Sequence, residues 1–319
     1  MKKHVFLTCL CLVAVALLFL TACNNDDNDH SHHGRLAVEH LTHINDNLHG
    51  RFAFSDREHE TAMWIVSQLI AMGHSADNIE MQSFHRDRLP DGHVAVDAAQ
   101  RDYSQNIILT VPGQSGRIIV VGASYDGLRY GGVSSNAAGT ALLLESAQNI
   151  LEQEHHYTIM YVFFGAGMLS HTGAAYFHET LPWHLRENIM LMINADALLE
   201  GTHLVYGAGY NQGDIPGANA VTTRIDIAAV YVRETYDATI NPIRNMIFSN
   251  NAHLPFTSDG HTVMFLTSFY LPETGGFASP IHRSRYDNLE HLNANWPDKV
   301  QNNMRQFAVF LEQVLLSAE

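Results

Sequence analysis

The sequence predicts an α/β fold: a three-layer α/β/α arrangement with a mixed, mostly parallel sheet flanked by helices. Three observations predict it. Short, β-rich apolar runs recur along the chain, stretches of helical periodicity lie between them, and from Gly34 onward no low-complexity linker or internal repeat interrupts the alternation. A chain of 319 residues with 46% apolar composition can bury the core of one large domain.

The N-terminus comes first in order. Lys2 and Lys3 precede an apolar run from Val5 to Leu20, which is shorter than the roughly 20 residues a membrane-spanning helix needs and ends at Leu20-Thr21-Ala22-Cys23. Residues 1–22 are therefore expected to be a signal peptide of the bacterial lipoprotein type, with Cys23 as the lipidation site. The protein is expected to be exported and anchored by that lipid to a bacterial cell membrane. The other cysteines, Cys9 and Cys11, lie inside the signal, so no disulfide or cysteine metal site is expected. Residues 23–34 are acidic and histidine-rich, without apolar periodicity, and read as a flexible tether in which His30, His32 and His33 are weak, unselective metal ligands at most. One domain is expected over 35–319. Loss of Lys2 and Lys3 with the signal takes the formal net charge from −15 to −17, which argues against nucleic acid as a partner.

Ser55-Asp56-Arg57-Glu58 has the form of a capping box, and Ala62, Ile65, Leu69 and Met72 follow at helical spacing before Gly73, so a helix is expected over Asp56–Met72. Strands are expected at Asn106–Val111, Arg117–Val121, Thr158–Phe164, Ile189–Asn194 and Val263–Leu271, because these runs have the continuous apolar character of strands buried on both faces. Helices are expected at Ala137–Glu152, His171–Glu179, Val221–Tyr236 and Trp296–Leu316, the last with Pro297 in its first turn. Ligands of open α/β sheets gather at the carboxyl ends of strands. The segments Ser124–Asp126, Ala166–Met168 and Asp196 each follow a strand and are expected at one rim.

In order, the pieces NIILTVPG (from Asn106), IIVVGASYDG (Ile118), GVSSNAAGTALLLE (Gly132), TIMYVFFGAGM (Thr158), GAAYF (Gly173), MINAD (Met192), TSDG (Thr257) and IHRSRYDNLEHL (Ile281) resemble the co-catalytic zinc aminopeptidases. Relatives of that family include glutamate carboxypeptidases and glutaminyl cyclases. The resemblance, from about Leu48 onward, implies the zinc-aminopeptidase form of the fold, of the phosphorylase/hydrolase type.

The same resemblance implies that most metal ligands have been replaced. Where the family has Gly-Ala-His-Tyr-Asp, this chain has GASYD: Ser124 takes the place of a ligand, while Asp126 keeps that of the residue orienting it from behind. GVSSNAAG puts Ser135 where the family's metal-bridging Asp stands. Ala166-Gly167-Met168 replaces Ala-Glu-Glu, so Gly167 occupies the general-base position and Met168 a ligand position. Asp196 and His282, the latter upstream of Asp287, match ligands that remain, one for each metal. Catalytic zinc is usually held by three protein groups, and a positioned base contributes about 10²- to 10⁴-fold to rate. A pseudoenzyme without a cofactor is expected, one that binds a peptide or protein in the retained pocket, with Asp196 and His282 hydrogen-bonded directly and Ser124 and Ser135 donating to the spare oxygens. Tyr130, Tyr270 and Phe277 are candidate lining residues.

Two active alternatives remain open. A zinc-dependent aminopeptidase could use a rearranged metal site drawn from the 21 histidines, with His171, His155, His156, His178, His253 and His261 as candidates. A serine hydrolase could be built from Ser124 or Ser135 with His282 and Asp196, although no Gly-x-Ser-x-Gly elbow is present.

Overall fold

A single sheet organises the chain, and its side chains alternate between two cores. The structure, a computed structural model, describes residues 32–89, 101–127, 131–208, 218–243, 251–270 and 281–317. Cys23, His30, Tyr130, Leu271 and Phe277 lie outside the described residues. The strands are β1 (Ile79–His85), β2 (Tyr103–Val111), β3 (Ser115–Ser124), β4 (Tyr157–Phe164), β5 (Ile189–Ala195), β6 (His203–Ala208), β7 (Asn241–Ile243) and β8 (Val263–Phe269). They lie in the order β1-β2-β4-β3-β5-β8-β6-β7. The central β4, β3, β5 and β8 are mutually parallel, while β1, β2 and β6 pair antiparallel to their inner neighbours.

The helices are α1 (Arg35–Asn47), α2 (Asp56–Ala71), α3 (Ala138–Ile150), α4 (Thr172–Thr180), α5 (Trp183–Arg186), α6 (Ala218–Tyr236), α7 (Leu254–Ser258), α8 (Leu289–Asn295) and α9 (Lys299–Leu316). Ile119 and Val121 of β3 join Leu41 of α1, Leu142 of α3 and Phe307 of α9 in one core. Ile118 and Val120 join Phe177 of α4 and Phe256 of α7 in the other. The two-residue period of a strand thus produces the three layers.

The capping box forms in part. Ser55 Oγ accepts from Glu58 N at 3.0 Å, but the Glu58 carboxylate reaches Phe54 N at 2.6 Å rather than Ser55 N. Its other oxygen is drawn to the strand-end rim.

The tether was expected to extend through Gly34, but the packed chain begins earlier. His33 is buried with Nε2 3.5 Å from Glu312 Oε2, and Gly34 N donates to Glu145 Oε1 at 2.6 Å. Ala37 N donates to Glu145 Oε2 at 2.7 Å. Gly34 has no side chain to cap α1, so a buried carboxylate from α3 satisfies the free amides at its N-terminus.

Candidate functional site at the carboxyl ends of the central strands

Strands β3, β4 and β5 end side by side, with Ser124 opposite Phe164 and Gly122 opposite Asn194. The expected convergence of the segments that follow them is what the structure shows. Asp126 Oδ1 accepts from Gly167 N and Oδ2 from Met168 N, each at 2.9 Å, so the β3 and β4 segments are tied together. Glu58 joins from α2, accepting from Ala166 N and Ser104 Oγ, both at 2.9 Å. Arg51 donates to Tyr125 O at 2.7 Å and Gly132 O at 3.0 Å, and its guanidinium lowers Asp126 and Asp287 against the burial that raises them. Burial and then the charge of Asp126 raise Glu58, against the pull of its three donors.

The chain enters α3 through one π-helical turn, Val133–Ala137, led by Gly132 in the left-handed region. Asp287 caps this turn, accepting from Ser134 N at 2.5 Å, Ser135 N at 3.3 Å and Ser135 Oγ at 2.6 Å. Leu199 N then donates to Ser134 Oγ at 3.1 Å, which brings the segment after β5 against the same turn.

A cavity of about 250 Å³ opens here, lined by Asp196, Glu200, Phe265, Phe269, His282 and Arg283 among others. Asp196 is only partly covered, yet the walls desolvate its carboxylate enough to raise it to about 6, against the lowering influence of His282 and Arg283. The raised value means that this acid lacks full compensation for its charge.

The arrangement corrects several expectations. Asp196 and His282 share the cavity, but the hydrogen bond expected between them is replaced by one from His282 Nδ1 to Glu200 Oε1 at 3.0 Å. That contact raises His282, while burial raises Glu200. Ser135 does not donate to Asp196, because its hydroxyl is taken by Asp287. The same bond removes the serine-hydrolase geometry at Ser135, whose hydroxyl faces an acid rather than an imidazole. Ser124 lies against Gly167, where an added Cβ would overlap both Ser124 Oγ and Ser124 Cβ and stand 3.0 Å from Asp126 Oδ1. Tyr270 stands exposed at the end of β8, and Phe265 and Phe269 line the cavity instead. Sequence reasoning missed Glu200, which stands four residues after Asp196 with only its acidic character as a signal.

The family's zinc does not fit these positions as they stand. Ser135 is committed to Asp287, Met168 offers a soft thioether, and His282 is held by Glu200. None of the candidate histidines is among the described residues that line the cavity. His155 Nδ1 bonds Tyr157 O at 2.8 Å and His156 packs its ring edge-on to Tyr157. His171 and His253 neighbour each other, while His178 and His261 lie together with Asp259 near the amino ends of β5 and β8.

Residues 106–308 match the family described as peptidase family M28. The alkaline phosphatase isozyme conversion protein of Escherichia coli is 26% identical over 202 residues, and the match spans 57% of each chain. Among solved structures, a zinc aminopeptidase from Bacillus subtilis superposes with a TM-score of 0.70 at 13% identity, covering 90% of this chain and 95% of that one. A leucine aminopeptidase precursor from Bacteroides thetaiotaomicron gives 0.66 at 16% identity over 90% and 97% of the two chains. Glutaminyl cyclase from the same organism, bound to N-acetylhistamine, gives 0.66 at 16% over 90% and 98%. These structural likenesses speak to the fold.

Proposed function

Because this chain belongs to peptidase family M28, we propose that it keeps the family's pocket to bind the amino end of a peptide and has given up the peptidase chemistry. We further propose that it does so as an exported lipoprotein held to the membrane through Cys23. The observation that carries the loss of chemistry is the contact between Gly167 and Ser124. At the position that the resemblance assigns to the general base, an added Cβ would overlap Ser124 Oγ and Ser124 Cβ, which leaves no room for the first carbon of a side chain. A single reversion to Glu would have no place to stand.

The binding half of the proposal rests on Asp196. A carboxylate raised to about 6 at a cavity wall is stabilised by an incoming cation, and a peptide α-ammonium is a cation of suitable size. Glu200 and His282 neutralise one another beside it, and Phe265 and Phe269 offer apolar surface to the first side chain.

Titration calorimetry with a peptide and its N-acetylated form tests this reading. Acetylation removes a charge-assisted contact and is expected to weaken binding about 10- to 100-fold, as is Asp196→Asn. Equal affinity for both forms would sink it. One observation favours a second reading, a metallopeptidase with a rearranged ligand set: Glu200 brings a second acid into the pocket beside Asp196 and His282. Aminopeptidase turnover that appears with zinc or cobalt and disappears with chelator would establish that reading and overturn the inactive one.

A further inference from the structure

Three side chains that take no part in the candidate site converge at the opposite end of the sheet. His178 closes α4, Asp259 follows α7, and His261 precedes β8. One ligand atom from each lies within 4.8 Å of the others. His178 Nε2 stands 3.4 Å from Asp259 Oδ2, and His261 Nε2 stands 3.6 Å from the same oxygen. These separations are long for N–H···O hydrogen bonds, and neither imidazole nitrogen has a hydrogen-bond partner although both are buried. They do suit a shared ion. Ligand atoms at about 2.1 Å around a tetrahedral zinc lie roughly 3.4 Å from one another.

We infer that His178, Asp259 and His261 form a binding site for a divalent transition metal of the zinc type, separate from the pocket at the carboxyl ends of the strands. The donor set is two imidazoles and one carboxylate with a fourth position open to solvent, which is a recurrent zinc arrangement. Phe256, fully buried, packs against His178 with ring centroids 4.8 Å apart, and the His178 and His261 rings stand edge to face with centroids 5.9 Å apart, so the two imidazoles are held side by side. Asp259 is 44% exposed, so an ion has a path from solvent.

One nearby group opposes the ion. Arg186 Nε lies 3.6 Å from the Asp259 oxygen that both histidines face, and it too has no hydrogen-bond partner. The guanidinium is a competitor that sets the affinity, and its removal has a predictable direction.

The site is distinct from the pocket by geometry. Ile189 opens β5 and Asp196 follows its last residue, so about seven residues at roughly 3.3 Å each, some 23 Å, separate the two ends. An ion would join the end of α4 to the loop leading into β8 on one face of the sheet.

Zinc titration of the full chain, purified without a histidine tag and stripped with chelator, tests the inference. The wild-type chain is expected to take up one equivalent more than His178→Ala or His261→Ala, over a shared weak background from the N-terminal histidines. Cobalt is expected to give a tetrahedral absorption band that both variants lose. Asp259→Asn, a change at an exposed position, is expected to weaken uptake at least tenfold with its apo melting temperature unchanged, and Arg186→Gln to tighten it. Asp196→Asn is expected to retain the equivalent in full. An equal uptake by the wild-type chain and the histidine variants overturns the inference, as does loss of the equivalent in Asp196→Asn, which would move the ion into the pocket.

Discussion

At the scale of single residues, Gly167 and Asp196 carry opposite lessons. A Cβ at 167 meets Ser124, so Gly167→Ala is expected to cost about 1–3 kcal/mol by overpacking, measured by urea unfolding. In a Ser124→Gly background most of that cost should vanish, because both overlapping atoms leave. An additive double mutant would show that the two residues do not press on each other. Asp196 supports a prediction about pH. Its carboxylate ionises at about 6, so an ammonium ligand meets a charged partner at pH 7.5 and a mostly neutral one at pH 5. Below that value, affinity should fall by up to tenfold per pH unit, and the Asp196→Asn variant should show no such slope across the range. The same desolvation makes the empty pocket costly, so Asp196→Asn should also melt at a higher temperature at pH 7.5 and not at pH 3.5. Sites poised for ligands commonly trade stability in this way.

At the scale of elements, the π turn shows how one acid organises a segment. Asp287→Ala would leave Ser134 N and Ser135 N buried without an acceptor, at about 1–3 kcal/mol for each, and a circular-dichroism melt should register the loss. This turn was not legible in GVSSNAAG, because a π turn arises from tertiary capping across more than 150 residues of sequence and has no local pattern of its own. The central strands were legible for the opposite reason: buried on both faces, they must be apolar throughout. Strand β1, with the sequence IEMQSFH, sits at the sheet edge with mostly exposed side chains, and nothing in its composition demands a strand. Strand β7 spans only Asn241–Ile243. Helix α1 did leave a trace, since Ala37, His40, Leu41 and Ile44 are buried at helical spacing, but a histidine on the inner face obscures the apolar stripe. The site divides in the same way. Ser124, Asp126, Ser135, Gly167, Met168 and Asp196 could be placed on strand ends and turns from sequence alone, whereas the partner of His282 depends on how the chain after β5 folds back.

At the scale of the whole molecule, buried titratable groups make the stability of the fold depend on pH. His40, against Trp64, and His253, against Phe265, are both held neutral by burial, which lowers them to about 4. In the unfolded chain they take up protons near 6.5, so the stability they support is present above 6.5 and lost as pH falls toward 4. Asp196 and Asp126, both raised to about 6, act in the other direction between 3.8 and 6, because the fold holds protons that the unfolded chain has released, and they offset the histidines on the acid side. Above 6.5 these groups have finished titrating. Glu58, raised from 4.5 to about 8 by burial and by Asp126, then decides the slope. Protonated in the fold while ionised in the unfolded chain, it contributes stability that is lost as pH climbs to 8. From pH 6.5 to pH 8 the melting temperature should therefore decline. In Glu58→Gln, which cannot titrate, the decline above 6.5 should flatten even though the variant melts lower throughout, because an amide cannot accept from Phe54 N and Ala166 N at once. A wild-type melting temperature that rises from pH 6.5 to 8 would mean that the three donors around Glu58 outweigh its burial and hold it ionised in the fold.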